Sequence, residues 1–150
     1  MDETAHGMTI IVKTVTRLTV GLILLFGIYI VLHGHLTPGG GFAGGVIIAL
    51  SFVHLMLAFG KGVALKKLSR PMASCIESAG GLMFLAIALL GYTGGWFFFN
   101  YLTGWGQPFR IFSAGIIPLC NIAISLKVGA GLFAVFMALV FLGVWEGDKK

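Results

Sequence analysis

"HGHLTPGGGFAGG", residues His33–Gly45, decides how this chain is to be read. LTVGLILLFGIYIVL precedes it at 18–32, and VIIALSFVHLMLAFG follows it at 46–60. Both flanks are apolar enough to span a bilayer, so the quoted stretch is the reversal between two membrane helices. A reversal needs one or two turn-forming residues. This one has two histidines, a proline and a run of glycines that continues past Pro38 into the next helix. Pro38 suits the start of a helix, where its missing N–H costs nothing.

Composition supports the membrane reading. The chain has 150 residues, 58% of them hydrophobic and 10% charged, with a mean hydropathy of +1.02. Soluble domains carry about 25% charged residues. The net charge of +5 comes from basic residues that stand mostly at the ends of apolar runs. That placement is a topology signal and argues against nucleic-acid binding. The first apolar run has no small-residue cleavage site after it and reads as a retained span. The two cysteines, Cys75 and Cys120, read as small core residues rather than as a bridge or as metal ligands.

A spanning helix needs about 20 mostly apolar residues. Four segments qualify, near 16–33, 40–60, 75–98 and 118–145. The fold class expected is an all-α integral membrane protein forming a single domain over 1–150. Four helices put both termini and the second loop on one side. That side receives Lys13, Arg17, Lys61, Lys66, Lys67, Arg70, Lys149 and Lys150, whereas the other receives Arg110. Both termini are therefore expected in the cytoplasm and the protein in the cell membrane. Splitting 111–144 into two spans around Lys127 makes each half too short. Trp96, Tyr101 and Trp105, in the outer stretch after the third span, suit the membrane–water interface.

Lipid tails are as apolar as leucine, so helices in a bilayer associate by close packing over small residues. Gly40 and Gly44 form one pair at four-residue spacing, and Gly41 and Gly45 form another. Ala130, Ala134 and Ala138 repeat the device on the fourth helix. So many small faces point to neighbours from other chains.

Lys127 lies on the arc of Ala130, Gly131, Ala134 and Ala138. A lysine there faces a protein interior or water, or else snorkels to the outer surface. His54, inside the second helix, is either a neutral histidine with a hydroxyl or carbonyl partner, or a proton relay. Glu77 is expected near the cytoplasmic face beside Arg70 and Lys66, as an ion pair or at an entrance. His33 and His35 alone make a poor metal site, and no metal or cofactor is implied. The chain has no phosphate loop, CxxC pair, haem motif or hydrolase elbow, and it reads as a non-catalytic protein.

"HLTPGGGFAGG" closely resembles the hallmark of the MnhB family, a membrane subunit of Mrp-type (Mnh-type) sodium/proton antiporters, in which a short first helix ends in G-H-x-x-P-G-G-G-F-x-G-G. "AGIIPLCNIAISLKVGAGLF", at 114–133, resembles the I-P-L-x-N-x-A-I-x-L-x-V-G-x-G segment of the same family. The resemblance covers nearly the whole chain and carries Gly34, His35, Pro38, Gly39, Gly40, Gly41, Phe42, Gly44, Gly45, Pro118, Asn121 and Lys127. It implies one membrane subunit of a hetero-oligomer that moves Na+ and H+. The module occurs as a free antiporter and within membrane-bound hydrogenases and sulfur-reducing complexes whose redox centres lie in other subunits. The residues expected to border an ion path are Lys127, His54, Glu77, His35 and Asn121. The alternative is a purely structural subunit that assembles the module while ions pass elsewhere.

Overall fold

The structure, a computed structural model, describes residues 8–100, 102 and 114–147, with side chains described to 142 in the last helix. Tyr101, Trp105, Arg110, Lys149 and Lys150 lie outside the described residues. The elements are α1 (Ile10–Leu32), α2 (Gly40–Phe59), a short α3 (Lys61–Lys67), α4 (Arg70–Leu90) continued by a 3-10 turn (Gly91–Gly94), and α5 (Ile117–Gly147). Among the described residues, four helices are long and apolar enough to cross a membrane.

Three boundaries differ from those read in the sequence. The first span starts at Ile10, not near 16, so Lys13 and Arg17 sit inside its first turns. Long basic stems allow this, because the helix continues while the charge leans outward. Arg17 does so over the ring of Phe59, 5.8 Å from its centroid. The third span starts at Arg70, not near 75, because Ser69 caps it. The Ser69 hydroxyl accepts the N–H of Met72 at 3.4 Å, and Pro71 occupies the first turn. The same span ends at Gly94, short of Phe98. Gly95, with φ +112°, turns the chain back and lays Phe98 on Phe84, their centroids 5.2 Å apart. The fourth span runs through Lys127 without a break, and Pro118 lies in its first turn.

The helices pack in the spatial order α1, α2, α5, α4, with α5 standing between α2 and α4. Glycine sets the spacing. A β-carbon added at Gly44 would stand 3.0 Å from the carbonyl oxygen of Gly27 on α1. One added at Gly45 would stand 2.9 Å from the carbonyl oxygen of Ser125 on α5. Both are closer than a real side chain tolerates, so α2 touches its two neighbours backbone to backbone. The neighbours expected from other chains are, for this face, α1 and α5 of the same chain.

The half of the bundle that carries the basic residues holds the main core. Met56, Ala64, Leu68, Ala73, Ala130, Phe133 and Met137 are buried together, and Phe52 meets Phe133 edge-on at 5.9 Å. The short α3 tucks Ala64 and Leu68 under the bundle and leaves Lys66 and Lys67 exposed. Lys61 and Arg70 both lie over Phe141, 5.4 and 3.9 Å from its ring centroid. Between α2, α4 and α5 a cavity of about 130 Å³ remains, lined by Ile48, Phe52, Leu68 and Ile76 with Ser125 at its wall.

Candidate functional site

The polar groups of the spans fall into three places. At the end of the bundle where α2 begins, the two quoted motifs meet. Gly39 and Gly40 have φ of +140° and +70°, which only glycine adopts without strain, and they swing the chain into α2. A β-carbon on Gly41 would collide with the backbone of Asn121, so α2 begins directly against α5. The Gly41 N–H donates to Oδ1 of Asn121 at 3.2 Å, which satisfies one of the free donors at the head of the helix. Asn121 is 8% exposed, and its Nδ2 is buried with no hydrogen-bond partner among the described residues. His35 is half-buried in the same turn. His33 closes α1 instead: its backbone N–H and Nδ1 both meet the Tyr29 carbonyl, at 2.9 and 3.1 Å.

The second place lies between α1 and α2. His54 Nε2 is 3.1 Å from the hydroxyl of Thr19. Ser51, one turn before His54, donates to the Ile48 carbonyl at 2.7 Å.

The third place lies between α4 and α5. Lys127 Nζ is 3.7 Å from Glu77 Oε1, with the side chains 57% and 40% exposed respectively. The sequence suggests Arg70 and Lys66 as neighbours of Glu77. The helix geometry points it at Lys127 instead, while Arg70 is drawn to Phe141. The depth of the pair follows from the register. Gly80 of α4 lies against Ala123 and Lys127 of α5; an added β-carbon would be 2.8 Å from the carbonyl oxygen of one and the N–H nitrogen of the other. Lys127 is roughly 15 Å along α5 from Ile117, and Glu77 roughly 10 Å along α4 from Arg70. A hydrocarbon layer about 30 Å thick that begins near those two helix starts would hold the pair in its middle third. A single lysine at that depth costs roughly 2.5–3.5 kcal/mol on insertion scales. The opposite charge of Glu77 offsets part of this, yet 3.7 Å is longer than a hydrogen bond. Gly131 and Gly81 border the pair, 3.5 Å from Glu77 Oε1 and 3.8 Å from Lys127 Nζ as measured to added β-carbons.

The other small residues of α5 divide. Ala130 is buried in the core, whereas Ala134 and Ala138 are exposed beside Lys127. Cys75 and Cys120 are free thiols, the first exposed and the second half-buried. In the sequence Lys127 and Glu77 stand out only separately, and nothing there marks Thr19 as the neighbour of His54. The signal for the pair is there, since Glu77 is the only acidic residue from 8 to 142.

Fold and site together define a multi-pass helical membrane protein with an ion pair at mid-span. Comparison with known families makes this specific: residues 11–134 match the domain related to the MnhB subunit of Na+/H+ antiporters, and the chain belongs to that family. An uncharacterized protein of Methanocaldococcus jannaschii is 41% identical over 117 residues, which is 74% of this chain and 44% of that protein. A putative antiporter subunit mnhB2 of Staphylococcus epidermidis is 42% identical over 59 residues, 39% of this chain and 42% of that one. Among solved structures, a chain of the membrane-bound sulfane sulfur reductase, an archaeal respiratory membrane complex, matches with a TM-score of 0.75 and 32% identity. The match covers 91% of this chain and 59% of that chain. The chain thus spans about half the length of the relatives it matches.

Proposed function

We propose that this chain is a non-catalytic membrane subunit of a Mrp-type sodium/proton antiporter module, seated in the cell membrane with both termini in the cytoplasm, and that Glu77 and Lys127 border its ion route. The family supports the module. The antiporter subunit of S. epidermidis and the respiratory complex of the sulfane sulfur reductase are two settings in which such a chain can work. The observation that carries the ion route is the mid-span pair, 3.7 Å apart and incompletely enclosed by its own chain. Charges at that depth face protein or water and usually mark ion or proton pathways. The lysine side chain can set the local field for a passing Na+ or hand on a proton, whereas arginine stays protonated.

The second reading, a purely structural subunit, draws on the glycine contacts of α2, which serve packing inside the chain. Lys127→Met separates the two readings, because it keeps most of the side-chain length and removes the charge. Ion-driven transport in membrane vesicles, normalised to complex content measured in parallel, is expected to fall about tenfold, the effect of about 1.4 kcal/mol on a barrier. Full transport at normal assembly gives the structural reading the site.

A further inference from the structure

We infer that the α4–α5 face bearing Glu77 and Lys127 is covered by a transmembrane helix of a different subunit, and that this helix brings a carboxylate to Lys127. The inference rests on the proposed membership in a multi-subunit module and names the partner that its site needs.

Three observations carry it. Lys127 is the more exposed member of the pair, and its ammonium has three donors but only one partner among the described residues, beyond hydrogen-bond length. Lipid offers no acceptor at mid-depth, so the remaining donors must be met by protein or by water held against protein. Glu77 is the only acidic residue of this chain between 8 and 142. A second carboxylate at this depth therefore comes from another chain. The surface around the pair is also shaped for a helix. Glu77, Gly81 and Leu85 follow at four-residue steps on α4, and Lys127, Gly131, Ala134 and Ala138 share one arc of α5. Gly131 and Gly81 keep the relief low beside the charges, while Leu85, Ala134 and Ala138 are exposed. α4 borders this arc at Lys127 and Gly131, and beyond it Ala134 and Ala138 are exposed, covered by no helix among the described residues. The ion route then runs in the seam between the two chains, with acids on both sides of one lysine.

The test is site-specific photocross-linking of the assembled complex in native membranes, with p-benzoylphenylalanine placed at Leu85 or at Ala134. Leu85 is large and exposed, so that variant keeps assembly if the alanine site does not. The expected product joins this chain to a different membrane subunit, and peptide mapping puts the adduct within two helical turns of an aspartate or glutamate in a spanning segment. Adducts to lipid alone, to a second copy of this chain, or to a helix without an acid overturn the inference. The cross-linking result is independent of transport. Loss of transport in Lys127→Met without a partner adduct leaves the ion route standing and removes the partner, whereas an adduct with full transport does the reverse.

Discussion

The N–H of Gly41 donates to the side-chain oxygen of Asn121 at 3.2 Å, across 80 positions of sequence. This bond ties the head of α2 to the first turns of α5, and its two partners belong to the two segments that carry the family resemblance. Replacing Asn121 by leucine removes the acceptor and leaves a buried helix-head donor unmet, a loss of about 1–3 kcal/mol. Asn121→Asp keeps an acceptor oxygen but adds a buried charge. Thermal unfolding of the purified complex, followed by size-exclusion chromatography, should therefore show both variants destabilised. Unchanged melting of Asn121→Leu would mean the bond is dispensable.

Glycine position, not glycine content, should decide tolerance. Gly45→Leu forces a side chain into the Ser125 carbonyl and should cost about 1–3 kcal/mol or more. Gly21 has nothing within 4 Å of an added β-carbon and faces outward. Gly21→Leu should assemble and melt as the parent does. Equal losses from the two variants would refute backbone contact as the reason for the α2 glycines.

Glu77 and Lys127 should behave as a coupled pair in assembly and as separate parts in transport. Lys127→Met and Glu77→Gln each leave one charge without its partner in the middle of the bilayer. The double variant leaves neither, so complex content should recover towards normal, the signature of coupling in a double-mutant cycle. Transport should stay low in the double variant, because the groups that border the route are both gone. Additive losses of assembly, read by quantitative blotting of solubilised complex, would show that the two side chains do not sense each other.

Topology is open to direct chemical test. In a background with Cys75 and Cys120 changed to serine, Lys66→Cys should resist an impermeant thiol reagent in intact cells and Thr93→Cys should react. Opening the cells should expose position 66. The opposite pattern would turn the protein over in the membrane and reverse the direction in which Lys127 meets the ion.

Much of this fold is legible in the amino-acid sequence. Spans are set by length and apolarity, and both are local properties: 20 apolar residues in lipid must be a helix, because every backbone group has to bond within its own segment. The ends of the spans are less legible. α1 starts before Lys13 because a long basic side chain can leave a helix sideways, and the third span starts before Cys75 because Ser69 supplies a cap. The small faces are visible as a pattern, but the pattern does not say whose helix they receive. Gly41 and Gly45 receive α5 of their own chain, whereas Ala134 and Ala138, spaced just as regularly, face outward.

The sequence by itself determined the class of the protein, the number of spans, the two hallmark segments and the residues able to carry charge within the membrane. Those follow from composition and from period along one chain. Only the tertiary structure decided which charges and which polar groups meet. Glu77 and Lys127 lie 50 positions apart in sequence and 3.7 Å apart in space, because Gly80 lets α4 and α5 close on each other at the register that levels them. Thr19 reaches His54 because Gly27 and Gly44 let α1 and α2 approach closely. Helix register is set by where backbones can touch, and that depends on both surfaces at once, so it cannot be read from either helix alone.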